Sequence, residues 1–427
     1  MHFKNKISRR NFLKSTAYLG VAIPGLAQAG GFTQANEFSG EKKINLQNQR
    51  LAVAMWDFSY MTRRSGKEAE YENYNEILEG FVERGYNCIR IDAFPHLIAS
   101  DKSGNIQEEF RMLPQLKPFM WGNHSQVTIN PRRDLIDFLS KCKAYGIRIG
   151  LSTWMQNDTT GRAYRVRTPE DMADIWIETL DFIGEHDLLD IVEWVDFCNE
   201  FPLNRWAPAA VSYINAQLST KLTELHGTIF PYTRKQSEVT SRYMSEVINR
   251  VKPLFPELSF CFSLTGSLPN NFKYYDLSDF DCLESHIWLN FNLNFMIRSG
   301  LFLTLLDVNG ATWWINKRTK NLYFRYRNRW LKWMGSTLDG WVDLANKWEL
   351  PVYTSEAWGP VNWEDLPDYM NNSEWKWVFD ICEASVKMAV ARGWSGVCSS
   401  NFCQPHHEGF YDDISYHKKI SNMIFVE

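Results

Sequence analysis

The chain has 427 residues and a formal charge of −4, from 46 basic against 50 acidic side chains. Residues 1–29 hold five of the basic residues (Lys4, Lys6, Arg9, Arg10, Lys14) and no acidic one, so the remainder stands at 41 against 50, or −9. That balance excludes the basic footprint a nucleic-acid partner requires, and no later segment is apolar for long enough to span a bilayer.

In chain order, Ser8-Arg9-Arg10-Asn11-Phe12-Leu13-Lys14 precedes a mildly apolar stretch, Ala17–Leu26, which small residues close at Ala27-Gln28-Ala29. This pattern predicts a removable twin-arginine export signal over 1–29, and a periplasmic or extracellular protein. Residues 30–48 read as a linker and 49–427 as one domain. Across that domain a short apolar strand, a polar loop and an amphipathic helix recur. The predicted strands are Leu51–Phe58, Asn87–Phe94, Ile147–Trp154, Ile191–Asn199, Leu258–Leu264, Cys282–Trp288, Val352–Glu356 and Gly396–Asn401. Helices are predicted between them, among others at Tyr74–Arg84, Arg133–Tyr145, Pro169–Glu185 and Trp375–Arg392. Gly85, Gly146 and Gly393 stand where a helix ends and a strand begins.

Eight strands alternating with helices predict an α/β fold, a (β/α)8 barrel with parallel strands. The rival, a doubly wound open sheet, lacks a Gly-rich phosphate turn after the first strand. The long connections 95–131, 201–257 and 289–349 all follow C-terminal strand ends, the face that carries the site in such barrels. Eighteen Trp, eighteen Tyr and twenty-seven Phe suit both a packed core and a cleft that stacks sugar rings. The aromatic stretch 313–348 reads equally as a cleft wall or as helical core. Cys88, Cys142, Cys198, Cys261, Cys282 and Cys398 fall in or beside apolar runs, so buried free thiols are expected rather than disulfides. No CxxC pair suggests zinc, and no cofactor is implied.

Two strand ends carry a glutamate. Strand four ends Asp196-Phe197-Cys198-Asn199-Glu200-Phe201-Pro202, and strand seven reads Pro351-Val352-Tyr353-Thr354-Ser355-Glu356-Ala357-Trp358-Gly359. A carboxylate ending an apolar barrel strand points into the mouth; the bland alternative is a helix cap or an Arg partner. An Asn-Glu pair followed by Pro at strand four, with Pro-Val-x-x-Ser-Glu-x-x-Gly at strand seven, resembles the large clan of retaining (β/α)8 glycosidases that includes cellulase-like and β-mannanase-like families. The resemblance covers the chain after its leader, in strand order. It implies that Glu200 is the acid/base, that Glu356 is the nucleophile and that Asn199 binds the sugar 2-hydroxyl. One carboxyl must hold a proton while the other attacks the anomeric carbon, about 5–5.5 Å apart for retention.

Around this pair, the resemblance gives Arg90 in strand two the task of keeping the nucleophile ionised; neutralising a buried Asp92 or Asp196 is the rival role. Period two puts Glu284, His286 and Trp288 on one face of strand six. The clan has His-x-Tyr there, so His286 is a binding candidate and Trp288 replaces the usual hydroxyl. Trp154 and Trp358 are candidate sugar platforms or core residues, and Trp56 and Asp57 either reach the mouth or simply end strand one. Strand eight offers Ser399-Ser400-Asn401-Phe402 where the clan presents a Trp, leaving Phe402, Trp394 or a more polar subsite. The expected function is therefore retaining hydrolysis of β-linked glycosides, with carbohydrate as the partner. Two rivals remain: a metal-dependent sugar isomerase using Glu200, Glu284, His286, Glu356 and the His406-His407-Glu408 segment, and a non-catalytic sugar-binding barrel.

Overall fold

A computed structural model describes residues 50–115, 121–266, 268–301, 312–359 and 372–426. The predicted export signal and linker lie outside the described residues, as do parts of the long connections after strands two and six.

Eight parallel strand positions form the centre: β1 Leu51–Asp57, β2 Cys88–Asp92, β3 Arg148–Ser152, β4 Val192–Asp196, β5 in two pieces at Phe260–Cys261 and Leu264–Thr265, β6 Leu283–Trp288, β7 Val352–Thr354 with a second piece at Ala357–Trp358, and β8 Gly396–Cys398. Each pairs with its sequence neighbours, from Val53 beside Cys88 through Ile149 beside Val192 to Tyr353 beside Gly396. The two pieces of β5 complete the circuit, because Phe260 pairs with Val195 of β4 and Leu264 with Ser285 of β6. Leu51 pairs with Gly396, joining β1 to β8. The sheet is thus a closed (β/α)8 barrel, as the alternating pattern predicts.

Helices α1 Tyr74–Glu83, α2 Pro131–Ala144, α3 Pro169–Gly184 and α4 Arg234–Val251 follow the first four strands. Both α5 Thr312–Arg325 and α6 Arg327–Trp348 follow β6, while α7 Asn372–Val390 and α8 Ile414–Val426 follow β7 and β8. Local chemistry sets these ends. Asn73 caps α1, and Thr168 with Asp171 and Thr233 with Gln236 form reciprocal capping boxes at α3 and α4, satisfying N–H groups that lack helical partners. Gly85, Gly146 and Gly393 take the positive φ values expected of helix stops. After β5 the described chain has only a single 3-10 turn, Pro269–Phe272; its Pro- and Asn-rich sequence offers no amphipathic run.

β1 to β4 and β8 stop short of their predicted ends, and β5 and β7 are broken, for reasons that lie at the mouth. β5 breaks at Phe262-Ser263 because the Ser263 N–H donates to Asp196 Oδ1 at 2.7 Å rather than to a ladder. β7 breaks at Ser355, whose N–H donates to Glu284 Oε1 at 3.2 Å. Beyond β4, the Cys198 N–H turns to Asp196 Oδ1. Deeper in the barrel the rings of Trp194 and Tyr353 pack 5.3 Å apart. They fit because the facing positions are glycines: a Cβ on Gly150 would stand 2.3 Å from the Trp194 ring, and one on Gly396 2.4 Å from Tyr353. All eight cysteines are buried free thiols, as their apolar settings imply. Among the described residues no helix is long and apolar enough to cross a membrane.

Candidate active site

Strand ends β2, β4, β6 and β7 bring five predicted residues together: Arg90, Asn199, Glu200, His286 and Glu356. Arg90 is fully buried and organises the group. Its Nη1 donates to Glu356 Oε1 at 2.8 Å. Its Nη2 donates to Asp196 Oδ2 at 2.6 Å, Asn199 Oδ1 at 2.8 Å and Ser152 Oγ at 3.0 Å. Arg90 thus contacts both the predicted nucleophile and a buried aspartate, Asp196 rather than Asp92. Because a guanidinium only donates, its bond to Asn199 settles which end of that amide is oxygen. Asn199 Nδ2 is left buried without a protein partner, a donor free to meet a ligand.

Glu200 is placed by backbone as much as by side chain. It follows the end of β4 in the left-handed region at φ 49°, its N–H donating to Ser263 Oγ at 2.8 Å. Asp57, Phe94 and Met155, at or just beyond the ends of β1, β2 and β3, are left-handed too, at 41°, 50° and 43°. Such conformations cost non-glycine residues about 1–3 kcal/mol each and cluster where function demands a particular exit of the chain. The two oxygens of Glu200 have different partners: Trp206 Nε1 donates to Oε2 at 3.1 Å, and His286 Nδ1 lies 3.2 Å from Oε1. One carboxylate oxygen of Glu200, one of Glu356 and a nitrogen of His286 all lie within 4.8 Å of one another.

The charges are arranged unevenly. Burial pushes Glu356 up to about 7, against the opposing pull of His286 and Arg90. Burial also works to raise Glu200, but the hydrogen bond and charge of His286, together with Arg205 and Trp206, leave it below its ordinary value. Glu284 is held at about 2: burial opposes its charge, and Arg90, His286 and Ser355 more than compensate. For His286, burial favours the neutral ring, yet Glu356, Glu284 and Glu200 together raise it to about 10. Asp57 and Asp92 rise to about 7, chiefly through burial.

Three donor atoms within 4.8 Å also have the spacing of a cation site. Their bonding argues otherwise. Glu356 already shares an oxygen with the Arg90 guanidinium, and both nitrogens of His286 are engaged by carboxylates. A divalent ion would sit against a fixed positive charge, a poor arrangement for metal binding. His407 of the histidine pair packs instead against Phe402, with ring centroids 5.3 Å apart.

The aromatic residues depart from expectation. Trp358 is fully buried and its Nε1 donates to the carbonyl of Cys398 at 2.8 Å, so it presents no open face to a sugar. Trp154 is buried with its ring against the Arg90 guanidinium at 4.5 Å; it braces the cation rather than forming a free platform. Trp288 pairs with Trp358 at the end of β6 and is buried. Trp56 packs among Tyr71, Phe81 and Phe138, the strand-end core reading. Asp57 is buried beside it and accepts from Ser59 and Gln404. Neither Trp394 nor Phe402 replaces the strand-eight platform, both being enclosed. Asn401 beside them has its Oδ1 accepting the Ala357 N–H at 2.8 Å and its Nδ2 buried without a protein partner.

Sequence reasoning missed Trp206 and Ser263. Trp206 lies six residues beyond Glu200 in an irregular turn, where no periodicity aims a side chain. Ser263 stands inside an apolar run that reads as uninterrupted strand.

A family model for sugar-binding cellulase-like proteins matches residues 53–425. Among solved structures, a candidate glycoside hydrolase from Parabacteroides distasonis is 30% identical, with a TM-score of 0.75 over 88% of this chain and 94% of that one. An endo-β-1,4-mannanase from Thermotoga petrophila is 10% identical at a TM-score of 0.49, covering 90% and 78% of the two chains. A hyperthermophilic endo-β-1,4-glucanase is likewise 10% identical at 0.49, covering 88% and 97%. No curated protein sequence matches significantly. From its first barrel strand to its last helix, the chain belongs to the sugar-binding cellulase-like family.

Proposed function

We propose that the chain is a retaining glycoside hydrolase acting on β-linked glycosides, with Glu356 as nucleophile and Glu200 as acid/base. The observation that carries this reading is the approach of the Glu200 and Glu356 carboxylates to within 4.8 Å. Oxygens that close favour the retaining arrangement, with carboxyls roughly 5–5.5 Å apart, over the ~6.5–9.5 Å that leaves room for an inverting water. Glu356 would attack the anomeric carbon, its charge stabilised by Arg90. Glu200 would deliver a proton to the departing oxygen and take one from water in the second step. Asn199 Nδ2, already oriented by Arg90, supplies a donor beside the reacting sugar. Family membership and the likeness to the Parabacteroides distasonis protein support the same class of chemistry. The predicted leader would place the enzyme outside the cytoplasm, where such substrates occur.

The decisive experiment pairs a panel of aryl β-glycosides with NMR of the first-formed product. Retention of the β-anomer by the wild type, and a loss of at least ~10⁴-fold in kcat for Glu356→Ala, are expected. An α-product, or full activity in the variant, would overturn the reading.

A further inference from the structure

His286 is held by a carboxylate at each ring nitrogen. Its Nε2 lies 3.1 Å from Glu284 Oε1 and its Nδ1 3.2 Å from Glu200 Oε1. Glu284 is fully buried and set up to stay ionised. It accepts the N–H of Ser355 at 3.2 Å and the Ser355 hydroxyl, and Arg90 Nη2 stands 3.8 Å from its other oxygen. An ionised carboxylate only accepts, so Nε2 must carry a hydrogen in every state of the site. One further proton then lies between Nδ1 and Glu200 Oε1, bound either to nitrogen or to oxygen.

We propose that Glu284 and His286 form a proton store for Glu200: the acid proton rests on the His286 ring and reaches the leaving group through Glu200. This rests on the assignment of Glu200 as acid/base. In the first step the Nδ1–H bond breaks as the Glu200 Oε1–H bond forms, leaving a neutral ring still donating from Nε2 to Glu284. Glu200 passes that proton to the glycosidic oxygen, which departs with the electron pair of its bond to the anomeric carbon as Glu356 attaches there. In the second step water bonds to the anomeric carbon, the ester bond to Glu356 breaks, and the released proton returns through Glu200 to Nδ1.

The groups facing His286 fit this cycle. They are Glu200 beyond β4, Glu284 on its own strand, and Glu356 in the break between the two pieces of β7, whose Oε2 is 3.8 Å from Nδ1. Arg90 from β2 reaches the ring only through Glu284 and Glu356. The lowered Glu200 and raised His286 place the resting proton on the ring. Glu284 is a positioning residue here: it touches no reacting atom and acts by keeping a charge beneath the imidazole.

The test compares Glu284→Gln with wild type on two glycosides of one sugar, a dinitrophenyl one needing little acid assistance and a methoxyphenyl one needing much. Glu284→Gln is expected to lose at least ~10-fold more kcat/KM on the methoxyphenyl substrate than on the dinitrophenyl one. Its alkaline limb in the pH profile should move down by about one unit or more. His286→Asn, which cannot store a proton, should show the same split and serves if Glu284→Gln does not fold. Equal losses on both substrates, or an unmoved alkaline limb, would overturn the proposal. Glu200→Ala is the control. If it lacks the leaving-group split, the acid/base assignment itself fails; if it shows the split and Glu284→Gln does not, only the proton store falls.

Discussion

Two layers of the barrel interior, two residues apart along the same strands, are made of opposite materials. The lower one is the pair of rings Trp194 and Tyr353, closed over Gly150 and Gly396. The upper one begins at Ser152 and Asp196 and gathers Arg90, Glu284, His286, Glu356 and Glu200. The lower layer excludes water from beneath the upper, so every charge above it must be answered by another protein group. That is why a single guanidinium is shared among Asp196, Glu356 and Glu284, and why the carboxyls differ so much in proton affinity. An apolar floor is what makes unlike behaviour possible in chemically like residues.

The contrast is open to direct attack. Removing the shared cation should have the largest effect: Arg90→Met leaves buried carboxylates without their counter-charge and should lower unfolding stability by about 3–5 kcal/mol, read from urea denaturation. The sign of its pH dependence follows from Glu356. The folded value of about 7 lies above the ordinary 4.5, so the native state holds a proton that the unfolded chain has released. For this group stability therefore rises as pH falls from about 7 toward 4.5; without Arg90 the folded value climbs further, so the part of the Arg90→Met deficit due to Glu356 should shrink as pH falls toward about 7 and stay constant below it. A deficit independent of pH would show that the upper layer does not depend on charge compensation.

Overpacking the floor comes next. Gly150→Ala should cost about 1–3 kcal/mol, and adding Trp194→Phe, which takes away the ring atoms nearest the new methyl, should recover part of it. Additive losses in that cycle would deny the close fit. Trp206→Phe removes only one hydrogen bond at the more open edge. It should cost roughly three- to tenfold in kcat/KM, more for poor leaving groups than for good ones. Smallest of all, dialysis against a chelator should change kcat/KM by less than about twofold; a metal-restored loss would revive the isomerase reading.

Much of this architecture was legible in the sequence, and the exceptions share a cause. Apolar runs between glycine-marked helix ends put all eight strands in place and in order. Glu200 and Glu356 stood out because a charge at the end of such a run needs a reason. The breaks at Ser263 and Ser355 were invisible, because there the backbone abandons its ladder for side chains brought close only by barrel closure. The tryptophans misled for a related reason. Composition says how many flat rings the chain carries, but not whether a ring lies open or spends its face on Arg90, as Trp154 does. Glu284 was visible by period two as a neighbour of His286. Its pairing with Ser355 and Arg90 depended on strands some seventy and two hundred residues away in sequence.

The left-handed residues at or just beyond the ends of β1 to β4 have a consequence for how this mouth can diversify. Each fixes the launch angle of the chain as it leaves the barrel, before the rest of the loop begins. Glu200 is anchored at that launch point, with Ser263 as its tether, and the loop beyond adds the Leu203 N–H on its carbonyl and Trp206 on its carboxylate. On the proposed role of Glu200, exchanging the loop after β4 beyond Trp206 would reshape which sugars are admitted while the carboxylate keeps its aim.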